Sequence, residues 1–311
     1  MVFFHALQGL FIIIIIVSIG YFLTRKGWFT EDVISFLPKI VNYVALPAFA
    51  FCNIVTTMSA AELKAIVYGI VVPFLAIFLN LLLGIVAARI VKVPQGRRGI
   101  FLTIFFASNA MFIGLPVNLA LFGEISIPFV LLYFFANTSS FWTVGNYLIS
   151  KDGNLKNAKI FSLSSVKNIL SLPFLASLIA VPVLFLEINF PKFFLDTLKY
   201  LGNMTTPLSL LFIGAIICGV KLKDIRFSKD VIAILIGRFI LSPVLILVVA
   251  HFIPIPDLMR KVFVIQSALP AMALVTIIAK VHEADAEYSA ILTAVTTVFS
   301  ALAIPFYMVV I

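Results

Sequence analysis

The chain has 311 residues, 63% of them hydrophobic and only 11% charged, with a mean hydropathy of +1.19. No water-soluble fold has enough interior to hide that fraction of apolar side chains, so a soluble domain is excluded and a polytopic membrane protein is expected. The formal net charge of +9 follows from basic residues gathered in short loops and gives no argument for nucleic acid.

Taken in chain order, the apolar runs predict ten spans at approximately 5–23, 33–57, 64–91, 99–122, 126–149, 166–187, 193–219, 230–253, 258–280 and 286–310. Each is about 20 residues or more, as a ~30 Å hydrocarbon core requires. The first run has no Lys or Arg before it and no small-residue cleavage site, so it reads as a retained span rather than a signal peptide. The longest polar interruption, KDGNLKNAK at 151–159, divides the chain into a first half over 1–150, a cytoplasmic linker over 151–165 and a second half over 166–311. Loops after odd-numbered spans hold most of the basic residues, among them Arg89, Lys92, Arg97, Arg98, Lys221, Lys223 and Arg226. Loops after even-numbered spans hold only Lys64, Lys192, Lys199, Arg260 and Lys261. The positive-inside rule then places both termini on the non-cytoplasmic side. Five spans per half force the halves into opposite orientations, an inverted repeat. Local chemistry agrees: spans two and seven carry Asn42 with Pro47 and Asn203 with Pro207, and spans three and eight carry Pro73 and Pro243. Spans five and ten carry small polar runs, from Asn137 to Thr143 and from Thr293 to Ser300.

Two stretches are poorly built as continuous membrane helices: FFASNAMFIGLPVN at 105–118 and VIQSALPAMA at 264–273. Pro116 and Pro270 lack the N–H that a helix interior needs, and Gly114 loosens the backbone beside the first. Irregular backbone at membrane depth survives only where protein covers it or water reaches it, so the pair points to a transporter's binding site. The candidate substrate ligands are Asn109, Gly114, Pro116, Asn137, Gln266, Ser267 and Pro270. Helices broken at the two prolines would present free N–H groups and positive dipole ends to a carboxylate. Arg238 lies inside span eight, either as a charge partner for an anion or tied structurally to backbone carbonyls or a helix end. None of the thirteen acidic residues falls at a predicted midplane position. Cys52 and Cys218 sit in apolar spans and form no disulfide framework, and His5, His251 and His282 show no metal spacing. Neither H-E-x-x-H nor G-x-S-x-G occurs, so an enzyme is not expected.

With those residues in hand, the chain resembles the auxin efflux carrier family, which includes plant PIN-type carriers and bacterial malonate/malate permease-like proteins. The resemblance rests on SNAMFIGLPVNLALFG at 108–123 and VIQSALPAMALVTIIAK at 264–280, supported by NYVALPAFAF at 42–51, and it covers all ten spans. It implies an all-α fold of two inverted five-helix repeats, with helices four and nine broken at prolines and crossing near the midplane. It also implies a scaffold from spans 1, 2, 6 and 7 and a transport unit from spans 3–5 and 8–10. The implied function is secondary transport of a small organic anion by alternating access at the inner (plasma) membrane. A channel or uniporter for a neutral solute, and a sodium-coupled symporter, stand as alternatives. No cofactor is expected, and sodium is left open. The expected partners are an organic anion and the lipid bilayer, with a homodimer left open and no nucleic acid.

Overall fold

In a computed structural model, residues 2–153, 171–219 and 228–310 are described. The described residues form helices, joined by turns, with a single isolated antiparallel bridge. In chain order these are α1 (Val2–Arg25), α2 (Glu31–Thr57), α3 (Ala60–Ile90), α4 (Gln95–Phe106), α5 (Gly114–Phe122) and α6 (Glu124–Asp152). They are followed by α7 (Leu172–Phe185), α8 (Lys192–Gly219), α9 (Lys229–Phe252), α10 (Asp257–Ser267), α11 (Leu274–Val281) and α12 (Ala286–Val310). Six of them, α2, α3, α6, α8, α9 and α12, are long and apolar enough to cross a membrane. The pairs α4/α5 and α10/α11 are each half-length helices separated by non-helical backbone. The expected linker begins within α6, which continues through Asp152, and its part beyond residue 153 lies outside the described residues, as does the start of span six.

The chain divides into two compact units. The first gathers the described residues of 1–68, 111–131 and 170–219, and the second those of 69–110, 132–169 and 220–311. In the first unit α1 lies along the second half of α8. Gly20 and Gly214 allow that approach: a Cβ on Gly20 would overlap the Leu211 backbone, and one on Gly214 the Val17 carbonyl. Lipid-phase helix pairs gain their contact energy from such close backbone approach. The start of α3 is fixed by a capping box: Ser59 N–H donates to Glu62 Oε2 at 2.8 Å, and Glu62 N–H donates back to Ser59 Oγ at 3.2 Å. Gly123, at φ +73°, stops α5 with a left-handed residue that a side chain would strain.

In the second unit the buried core is built around α4, where the run Ile100–Phe106 is inside at every position. A helix enclosed on all sides is hydrophobic all round, as this run is except for Thr103, whose hydroxyl donates to Gly99 O at 2.8 Å. Gly99 lets α4 meet the end of α6, because a Cβ there would overlap the Leu148 carbonyl. On α9, Ile232, Ile236, Ile240 and Val244 recur every four residues on the exposed face, a lipid-facing stripe, while Val231, Ile234 and Arg238 point inward.

Three of the described helices widen into a π-turn: Val41–Ala45 in α2, Phe141–Gly145 in α6 and Gly237–Leu241 in α9. In α2 and α9 the turn stands one residue before Leu46–Pro47 and Ser242–Pro243. A proline removes one i→i−4 donor, and the widened turn absorbs the gap with Leu46 N–H on Val41 O and Ser242 N–H on Gly237 O.

Candidate functional site

The two interruptions differ from the sequence expectation in where they fall. The breaks span 107–113 and 268–273, so the first lies ahead of Pro116 instead of at it. Pro116 is the third residue of α5, in the first turn, where helical N–H groups have no partner and a missing one costs little. Pro270 does lie inside the second break, three residues short of α11. Gly114 and Pro116 both belong to the first unit, whereas Asn109, Asn137, Arg238, Gln266, Ser267 and Pro270 belong to the second.

Within that second unit the two breaks are joined. Ser108 and Ala271 form the antiparallel bridge, and Asn109 N–H donates to Pro270 O at 2.9 Å. Two side chains complete the junction. Asn137 on α6 accepts from Ser108 N–H through Oδ1 at 2.9 Å and donates to Ser108 O through Nδ2 at 2.8 Å. Thr296 on α12 accepts from Ala271 N–H at 3.1 Å and donates to Thr293 O at 2.9 Å. Backbone polar groups stranded in a low-dielectric interior are costly, and these residues remove that cost. Asn137, a candidate substrate ligand by sequence, therefore has both ends of its amide committed to the backbone. Thr296 was visible only as one of a run of hydroxyls, and nothing in its spacing marked it as the partner of Ala271.

Arg238 is fully buried, and its guanidinium is spent in the same way. Nε donates to Leu269 O at 3.2 Å, and one terminal nitrogen donates to Leu269 O at 2.8 Å and Ser267 O at 3.3 Å. The other terminal nitrogen reaches Ile104 O and Phe105 O, each at 3.4 Å. All five N–H groups thus face carbonyls at the C-terminal ends of α4 and α10, where unpaired oxygens and the negative dipole end collect. Of the two readings of Arg238 that the sequence left open, this geometry fits the structural one, with its donors on carbonyls and its charge facing two helix ends. Asn80 Nδ2 donates to the same Phe105 O at 2.8 Å.

What is left over is polar and buried. Gln266, at 0% exposure, has neither its amide oxygen nor its amide nitrogen hydrogen-bonded, and the Thr138 and Thr293 hydroxyls are likewise unpartnered. Asn109 is 7% exposed and makes no side-chain hydrogen bond among the described residues. Ser267 is satisfied locally, donating to Val264 O at 2.7 Å. The sequence-derived set therefore separates: Asn137 and Arg238 bond the backbone of the two breaks, Ser267 bonds its own helix, and Asn109 and Gln266 keep open amides. An unpaired buried amide costs about 1–3 kcal/mol, so two beside a purpose-built backbone junction call for a ligand or water.

Residues 5–308 match the family model described as membrane transport protein. A protein known as an uncharacterized transporter from Methanocaldococcus jannaschii is 26% identical over 298 residues, covering 94% of each chain. A second uncharacterized transporter, from Methanothermobacter thermautotrophicus, is 23% identical over 320 residues, covering 100% of each.

Proposed function

Because this chain belongs to the membrane transport protein family, that of the auxin efflux carriers, we propose that it is a secondary carrier of a small organic anion, working by alternating access around the joined interruptions. The observation that carries the proposal is the pair of buried open amides, Asn109 and Gln266, beside that junction. In this reading the ten spans form two inverted five-helix repeats. Their support is the order of elements: three helices, a split pair and a further helix occur twice, as α1 to α6 and α7 to α12. Both termini would lie on the non-cytoplasmic side, as the loop charges suggest. The amides orient the cargo, and the N-terminal end of α11 supplies partial positive charge.

One observation favours a second reading. Arg238 has every donor committed to carbonyls, and Asn109 N–H and Ala271 N–H are used inside the junction. Recognition then rests on neutral amides, which also suits a neutral polar solute.

A thermal-shift screen of the purified protein separates the two, using mono- and dicarboxylates, aromatic acids and their neutral amide analogues. A ligand at 100 times its dissociation constant stabilises by about 2.7 kcal/mol. A carboxylate response lost in the amide analogue supports the anion carrier, and equal responses support the neutral solute. Gln266→Leu removes an unpaired amide, so it should raise the apparent melting temperature without ligand and abolish the ligand-induced shift. A Gln266→Leu protein that responds as wild type would remove Gln266 from the site.

A further inference from the structure

A second set of unpartnered polar atoms lies in the first unit and takes no part in the junction. Asn118 on α5 and Thr205 and Ser209 on α8 are each 0% exposed. Asn118 Oδ1, Thr205 Oγ1 and Ser209 Oγ have no hydrogen-bond partner, while the nitrogen of the Asn118 amide is already bound to Gly114 O at 2.7 Å. Three orphan oxygens thus lie on two helices that pack against each other.

The packing sets their register. Phe112, just before α5, meets Phe212 of α8 with ring centroids 6.1 Å apart, and Leu119 and Thr206 line one cavity. The two helices therefore run antiparallel, which sets Asn118 opposite the turn from Thr205 to Ser209. Those two residues are four apart and share the helix face that carries Phe212. In the same segment Pro207 takes away the helical donor of the Asn203 carbonyl, adding another oxygen to the neighbourhood.

We propose that Asn118, Thr205 and Ser209 form a binding site for a monovalent cation, with sodium the ion it takes. An amide oxygen whose nitrogen is already bonded offers only lone pairs, and two hydroxyls beside it offer more, the oxygen set that hard cations prefer. No carboxylate belongs to the set, so a divalent ion would be left with a large uncompensated charge in a low-dielectric setting. A singly charged ion held by neutral oxygens fits. A cavity of about 180 Å³ is lined by Leu119 and Thr206, the chain neighbours of Asn118 and Thr205. Glu124 and Lys199 both line it, so its own charge is balanced. The site is independent of what the junction in the second unit carries.

The test uses the purified full chain in detergent, melted in NaCl, KCl and choline chloride at matched ionic strength. The expected result is a saturable rise in melting temperature with sodium that choline does not produce, together with saturable binding of radiolabelled sodium to the unheated protein. Thr205→Val and Ser209→Ala should each raise the half-saturating sodium concentration about tenfold or more, and Gln266→Leu should leave it unchanged. Identical melting in all three salts, with no radiolabelled sodium bound, would mean the oxygens hold water only and would overturn the site. An equal response to potassium would overturn the assignment to sodium. The direct binding measurement on the wild-type chain decides the matter even if a variant fails to fold.

Discussion

Replacing Arg238 by Met keeps most of the side-chain length and removes the charge and all five donors. Four backbone carbonyls, of Ile104, Phe105, Ser267 and Leu269, then face one another across a buried gap. Charge-assisted hydrogen bonds are each worth about 1.5–3 kcal/mol, but four of the five here are 3.2 Å or longer. The cost of holding a desolvated cation offsets part of the remainder, and breaking such an arrangement by removing one side typically costs about 3–5 kcal/mol. At the roughly 2 °C per kcal/mol suited to a large domain, Arg238→Met should melt about 6–10 °C below wild type. Arg238→Lys keeps the charge but has three donors on a point-like head, so it should fall between the two. Intrinsic tryptophan fluorescence from Trp28 and Trp142 during a temperature ramp reads the difference. An Arg238→Met protein melting within about 1 °C of wild type would refute the assignment of this cation to the two helix ends. A lysine variant no better than methionine would show that fork geometry matters more than charge.

Two further outcomes follow from the packing and the protonation chemistry. Gly99→Ala places a Cβ against the Leu148 carbonyl and should destabilise by about 1–3 kcal/mol, seen as a lower melting temperature, unless α4 and the end of α6 can separate without cost. His282 lies between α11 and α12, outside the spanning helices. Its Nε2 is 2.8 Å from Asn146 Oδ1, Nδ1 is buried without a partner, and burial lowers the imidazole's pKa. The unfolded chain then binds more protons than the folded one between the lowered value and the ordinary value of about 6.5. Stability is therefore full above that ordinary value and falls as pH drops through it. Melting curves from pH 7.5 down to 5 should show His282→Gln losing less than wild type over that window; parallel curves would exclude His282 as the titrating group.

The six helices long and apolar enough to cross a membrane were legible because a membrane leaves little choice: an apolar run of about 20 residues has only one inexpensive structure in hydrocarbon. The breaks were legible as regions but not in position. Proline announced them, yet the backbone departs from the helix at Ala107, nine residues before Pro116, because the departure is set by what the freed groups can bond to. Ser108 has Asn137, and Ala271 has Thr296. Such side-chain-to-backbone pairs join residues about 25–30 positions apart and leave no periodic trace. Arg238 illustrates the same limit. A lone cation in an apolar run was conspicuous, but its partners are carbonyls, which every residue carries, so nothing in the side-chain pattern could name them. Gln266 stands out for the opposite reason. Its polar side chain interrupts an apolar run, and in the fold both its amide atoms are buried without a partner.

The order in which the chain is made gives the carbonyl pairing of Arg238 a cost during biogenesis. When α9 leaves the ribosome, Ile104 and Phe105 have long been in place, but Ser267 and Leu269 have not yet emerged behind it. The helix must enter the bilayer with its guanidinium at most half-matched, against a penalty of about 2.5–3.5 kcal/mol for an arginine at mid-membrane. The stripe of Ile232, Ile236, Ile240 and Val244 supplies the opposing gain of roughly 0.3–0.6 kcal/mol per residue. Four such residues give about 1.2–2.4 kcal/mol, short of that penalty, so the other apolar residues of α9 have to make up the difference. Polar substitutions on this lipid-facing stripe should therefore lower the yield of inserted protein well before they alter the finished molecule, and should do so less in a chain whose Arg238 has been replaced by methionine.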